Sequence, residues 1–297
     1  MNTVVRGVRC VVVVIVALTF VGCVAVQAAE SSPEVSQMIN LLKVRESQVG
    51  SVSATISVET VKDLPAKFMN LFPGITRKPG KERTVQTYVL KFDHQKYYEE
   101  SRQTQPDEPK SSVMRVYDGS VGCYYRPDDK YLMRCSDSAK ISSTPISQVQ
   151  AGNFLGLGHC LGERPLSSIL AGGKASYAGE ETISGTVCRR FDVGPDDAKS
   201  SYWVAPKLGC VTVRQISPFV GFDKGPVLTR TATSFKTYPG NIVLPQRMET
   251  VWTRPVNGKQ KAYITMKSKV VSLDVNPSLP ASTFTFTPPE GTNVFGD

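Results

Sequence analysis

Catalysis needs nucleophiles, bases or metal ligands at workable spacing, and this 297-residue chain offers few of them. Its two histidines, His94 and His159, cannot write the two-histidine helix of a zinc protease, and no G-x-S-x-G elbow occurs. The segment "GLGHCLG" from Gly156 to Gly162 spaces its glycines as G-x-G-x-x-x-G, which is not the dinucleotide fingerprint, and no strand pattern leads into it. His159 and Cys160 suggest a thiol with its base, yet neighbouring side chains point apart and such pairs meet through the fold. The carboxylate pairs Glu99-Glu100, Asp128-Asp129, Glu180-Glu181 and Asp196-Asp197 read as solvated strand faces or turns. Tyr97, Tyr98, Tyr124 and Tyr125 are mixed with acids as well as bases, unlike the basic, aromatic-studded stripe of a nucleic-acid binder. The expectation is a non-enzymatic chain with no cofactor, no metal and no nucleic-acid partner.

The start of the chain is an address. Arg6 and Arg9 precede an apolar run from Cys10 to Val26, and Val26-Gln27-Ala28 fits the small-x-small rule, so residues 1–28 are predicted to be a cleaved signal peptide. A poor lipobox at Phe20-Val21-Gly22-Cys23 leaves open a lipid anchor on Cys23, and the run itself leaves open an uncleaved anchor. The protein is expected to be exported, to the periplasm or cell envelope. Loss of Arg6 and Arg9 would take the formal charge from +9 to +7, a balance that favours contact with an anionic membrane surface. "RKPGKER", Arg77 to Arg83, is its densest basic cluster, and a solvated loop is the alternative for it.

Five cysteines follow the leader: Cys123, Cys135, Cys160, Cys188 and Cys210. Export makes disulfides plausible, and a three-residue loop at Asp128 to Lys130 would set Cys123 opposite Cys135, making them the candidate bridge. Cys188 and Cys210 are harder to join, because a meander would put "SYWVA" between their strands.

The remaining pattern describes what must position these groups. Ser32, Pro33 and Glu34 spell a helix start, and Val35, Met38, Ile39, Leu42 and Val49 give it an apolar face, with Gly50 as its stop. Val52, Ala54, Ile56 and Val58 then alternate with polar residues as in a strand buried on one face. Residues 61–82 read as an insertion loop whose "AKFMNLFPGI" is either a flap or a short packed helix. Strands return through Arg83 to Cys135, with one hairpin turning at Asp118-Gly119. "TPISQVQAGNFLGLG" and "RPLSSILAGG" read as short helices, and Lys174 to Phe286 as strands, with Asn257-Gly258 a hairpin turn. Near the end, Ala262, Ile264 and Met266 are predicted to face inward, Lys261, Thr265 and Lys267 outward, until Val270-Val271 forms a bulge. The expected architecture is mainly β with a few helices: one strongly curved antiparallel sheet of roughly 11 to 13 strands, an unclosed barrel with helices on its concave side. Residues 29–297 are expected to form that single domain.

The order of elements, the "VGSVSATISVET" first strand, the "VYDGSVGCYY" hairpin and the closing "LPASTFTFTPPEGTNVF" resemble the LolA/LolB-like periplasmic lipoprotein carriers and the lipid-binding domain of the RseB/MucB regulators. The resemblance implies a cavity between sheet and helices that takes lipid or lipoprotein acyl chains. Its walls would be Leu42 of the helix, Val52, Ala54, Ile56 and Val58 of the first strand, and Ile264 and Met266 near the end, with plain core packing as the other reading. The resemblance also allows an envelope-stress sensor or protein-interaction module on the same scaffold. It implies that the aromatics of the tail plug an edge of the core.

Overall fold

A computed structural model of the chain describes residues 32–64, 80–94, 96–103, 112–135, 165–172, 174–218, 227–256 and 258–296. The first element is α1 (Pro33–Ser47), where the Ser32 hydroxyl accepts from the Val35 N–H and Pro33 fills the first turn. Val35, Met38 and Leu42 line its buried side. The helix runs out at Gln48 rather than Gly50, and a distant residue holds that end. Asn276 donates its amide to the Gln48 carbonyl at 2.9 Å and accepts from the Gly50 N–H at 2.8 Å.

That contact seats β1 (Ser51–Leu64) between β2 (Gly80–Asp93) and β13 (Lys259–Val275). Alternation does the rest, since Val52, Ala54, Ile56 and Val58 are buried while Ser53, Thr55, Ser57 and Glu59 are half-buried. The strands β1 and β2 run further than the sequence suggests. Val61 to Leu64 pair with Arg83 back to Gly80, so both ends of the expected 61–82 loop are ladder.

After β2 come β3 (Lys96–Gln103), β4 (Ser112–Tyr117), β5 (Gly122–Arg126) and β6 (Tyr131–Cys135). Beyond α2 (Leu166–Ala171), a second meander holds β7 (Ala175–Ile183), β8 (Thr186–Val193), β9 (Ser200–Ala205), β10 (Val211–Pro218), β11 (Val227–Tyr238) and β12 (Ile242–Val256). The chain closes with β14 (Asn293–Gly296). All belong to one 14-stranded sheet in the order β14-β6-β5-β4-β3-β2-β1-β13-β12-β11-β10-β9-β8-β7. Every neighbouring pair is antiparallel except β14 with β6, and the two end strands do not pair with each other.

The register identifies a common face. Phe191, Tyr202, Gln215, Arg230, Thr250, Met266, Thr60 and Thr84 are cross-strand partners in succession from β8 to β2, so their side chains share one side of the sheet. Phe191 packs with Val35, Met38 and Leu42 of α1 and with Leu166 and Leu170 of α2. The helices therefore cover the face to which Met266 and the β1 residues also belong; we call it the inner face. The tail covers the other face, because Phe286 lies 4.9 Å from Tyr125, whose neighbour Tyr124 points inward. Phe284 is buried in a turn against β3. Phe286 thus covers the outer face, while β14 extends the β6 edge and its Phe295 stacks on Tyr131, on the side of Tyr124.

Two register expectations need correction. Cys123 pairs with Arg134, and Cys135 with Gly122, so the two thiols point to opposite faces and do not bridge each other. The loop has four residues because Pro127, with no N–H for the ladder, instead accepts a turn bond from Lys130. In β13, Val271 is the expected bulge, since Thr55 pairs with Ser272 and Ile56 with Val270. A second bulge at Tyr263 turns Ala262 out to solvent and buries Tyr263 in its place, while Ile264 and Met266 stay inward as predicted. As expected, β9 separates the strand of Cys188 from Cys210, and both are free.

Two measurements test these features. Asn276→Ala and Asn276→Gly should each lower the unfolding free energy by about 0.5–1.5 kcal/mol in urea titration, because both remove the hydrogen bonds to the Gln48 carbonyl and the Gly50 N–H. Equal losses would assign the effect to the hydrogen bonds rather than to the backbone at Asn276, whose φ is +56°. Peptide mapping of the unreduced protein should find no peptide pair joined through Cys123 and Cys135.

Candidate functional site

The inner face carries two apolar regions with a polar seam between them. Around α1 and α2, Val35, Met38, Leu42, Leu166, Leu170, Phe191 and Val204 form a closed cluster. Glu46 ties the helices together by accepting from the Ser167 N–H at 3.2 Å and from the Ser167 hydroxyl. Next along the sheet Arg230 donates to Gln215 at 3.2 Å, and Gln215 donates to Ser217 at 3.0 Å.

Beyond that seam lies the larger apolar region. Val52, Ala54, Ile56 and Val58 of β1, Ile264 and Met266 of β13, and Tyr88, Leu90 and Phe92 of β2 are buried together. Six of the seven nominated wall residues thus meet in one place. Leu42 does not join them; it belongs to the helix-covered cluster. The reason is geometric, since α1 lies against β7 and α2 rather than against β1.

Within this apolar region stands a feature the sequence reading placed in water. Glu99 is buried on the inner face, opposite Leu90 of β2 on one side and Arg115 of β4 on the other. Arg115 Nη1 donates to Glu99 Oε1 at 3.1 Å, with side-chain exposures of 3% and 4%. Burial pushes the Glu99 carboxyl above the usual range, an effect that the neighbouring Arg115 charge only partly offsets. The guanidinium lies 5.6 Å from the centre of the Tyr124 ring. Its Nε and Nη2, and the Tyr124 hydroxyl, find no hydrogen-bond acceptor or donor among the described residues. Tyr88, on the neighbouring strand, donates to Gln86 at 2.6 Å, and burial raises its pKa.

Adjacent strand residues face opposite ways, so the pair Glu99-Glu100 cannot be solvated as a unit once both faces are covered. Glu100 takes the other face, near the surface, and pairs with Arg102. The usable signal was the inward set Tyr97, Glu99 and Ser101 beside Val113, Arg115 and Tyr117, which matches one acid to one base across a single ladder step.

His159, Cys160, the helix pattern of "TPISQVQAGNFLGLG", the "AKFMNLFPGI" segment and the leader with Cys23 lie outside the described residues. Of the basic cluster, Gly80 to Arg83 begin β2, where Arg83 contacts Glu59 at 2.8 Å. Among the described residues no group of three His, Cys, Asp or Glu is placed to hold a metal, and no helix is long and apolar enough to cross a membrane.

No protein-family model matches the sequence, and the comparison with curated proteins gives no match. Solved structures do match. A domain assigned to outer membrane lipoprotein sorting, from Vibrio parahaemolyticus, superposes with a TM-score of 0.54 at 12% identity, over 84% of this chain and 97% of that one. The chain has a LolA-like fold. A DUF1329 family protein from Desulfovibrio piger gives a TM-score of 0.52 at 14% identity, with the same coverage of both chains. The likeness to MucB in complex with MucA, at a TM-score of 0.26, is too slight to say anything of this chain. At these identities the LolA-like assignment concerns the architecture: an unclosed sheet with helices on its inner face.

The buried pair gives a stability test. Glu99→Ala should cost about 3–5 kcal/mol, since it leaves the Arg115 charge alone in the interior. Glu99→Gln with Arg115→Met should cost far less, and urea midpoints of the two variants against the parent check the difference.

Proposed function

We propose that the protein is an exported, non-enzymatic carrier or binding protein for lipid or lipoprotein acyl chains. The observation that carries this reading is the continuous apolar wall of β1, β2 and β13 on the inner face of a LolA-like sheet. Its residues come from strands far apart in sequence, and they are large, aliphatic or aromatic, and free of charge apart from one ion pair. An acyl chain presents only methylene groups, so such a wall gains about 0.8 kcal/mol for each CH2 it removes from water. Lipoprotein sorting, named for the Vibrio parahaemolyticus domain, is a task for which that chemistry is suited.

The leader supports export, and the positive balance of the chain favours approach to an anionic membrane surface, where such ligands reside. The ligand would enter between sheet and helices, with Val52, Ala54, Ile56, Val58, Ile264 and Met266 as its wall. Leu42 would act indirectly, by anchoring α1.

Mass spectrometry of organic extracts from protein purified without detergent should show acyl lipid. Ile56→Asp should keep its melting transition and lose fluorescent fatty-acid binding, because water admitted to a ligand cavity solvates the carboxylate. In a filled core the same carboxylate has no partner and the fold is lost. A variant that unfolds, or one that binds undiminished, would overturn the assignment of this wall.

A further inference from the structure

A guanidinium offers five N–H donors, and a carboxylate that matches it well takes two from one edge. Glu99 takes one, through Nη1. The donors left over are Nε and Nη2, which together form the side edge of the guanidinium and point their N–H bonds in parallel. This is a complete fork, buried, with no acceptor among the described residues. The Tyr124 ring backs the guanidinium, and its hydroxyl is a second buried group in the same condition.

We propose that the free edge of Arg115 is a subsite for one anionic oxygen group, a carboxylate or a phosphate, at the head of the ligand whose acyl chain lies along β2 and β1. The inference rests on the acyl-binding reading above and adds the ligand's polar end to it. The ladder supplies the path. Arg115, Glu99, Leu90 and Ala54 are successive cross-strand partners, so one row leads from Arg115 past Glu99 to the apolar wall. The distance is three strand spacings, about 14 Å. Tyr97 and Tyr117, stacked at 6.1 Å between centroids, stand one step along the same strands and flank the head end with aromatic surface.

A second oxyanion is compatible with Glu99. Burial disfavours the charged form of this carboxyl, and its one contact, through Nη1, leaves the Nε and Nη2 edge open to a second acceptor. Two oxygens on one atom fit the parallel N–H pair, whereas an ester or alcohol head supplies neither the charge nor the paired geometry.

The test uses three probes with one twelve-carbon chain: dodecanoic acid, its methyl ester and dodecyl phosphate. The full mature protein should bind at least one anionic probe about 10- to 100-fold more tightly than the ester, the weight of hydrogen bonds to a charged group. The tighter of the two anions identifies a fatty-acid or a phospholipid source. Arg115→Met with Glu99→Gln should abolish the preference, bringing the anionic probes down to the affinity of the ester. Arg115→Lys, which keeps the charge and loses the fork, should lose most of the preference and serves alone if the double variant does not fold. Equal binding of all three probes by the parent protein, or a preference that survives these substitutions, would overturn the subsite while leaving acyl binding in place. A parent protein that binds none of them overturns both.

Discussion

The pairing of β1 with β13 is the constraint on which the rest of the structure depends. It joins the start of the domain to a strand some 200 residues later, across register partners from Val52 with Val275 to Lys62 with Ile264. On its other side β1 pairs with β2 along its whole length. Two meanders, one on each flank, become one sheet only through this central strand. Asn276 fixes the junction, because its side chain satisfies the end of α1 and the turn into β1 while its backbone N–H donates to the Ser51 carbonyl at the exit from β13. Contacts this distant in sequence must overcome a large loop-closure entropy before they stabilise anything, so a dedicated polar clamp at the seam has a physical purpose.

With that seam in place, the chemistry of the two faces follows from alternation. On the outer face of the first meander the tail packs Phe286 against Tyr125. The inner face is divided: helices cover the β8 and β9 end, and a separate apolar wall occupies β1, β2 and β13. The polar seam of Arg230 and Gln215 keeps these regions distinct. A division of this kind separates structural burial, under the helices, from the surface on which a ligand would lie.

The Glu99 and Arg115 pair lies on the β1, β2 and β13 side of that division. Buried ion pairs rarely repay their desolvation, and a hydrophobic pair of the same size serves stability as well. Here the geometry is worse than stability would ask, with one contact where two are available and two guanidinium nitrogens without an acceptor among the described residues. An arrangement that is poor for folding and apt for an oxyanion is understandable as a recognition device.

Much of this was legible in the residues. Ser32 and Pro33 wrote the helix start, Val52 to Val58 wrote the inner face of β1, and Val270-Val271 wrote a bulge, because each of these depends on local backbone preference or a two-residue period. The open, mainly antiparallel sheet with helices on one face also followed from the order of patterns. What composition could not give was register between distant strands. The four-residue loop after Pro127 turned Cys123 and Cys135 to opposite faces, the bulge at Tyr263 exchanged Ala262 for its neighbour, and α1 chose the β7 end, taking Leu42 away from the β1 wall. Glu99 was misread as solvated for the same reason: period alone says that one of two adjacent acids faces inward, but only the pairing of β3 with β4 sets Arg115 against it. A single residue of register reverses every side chain on a strand, so the sequence determined which surfaces were apolar, and the tertiary structure decided which polar groups met inside them.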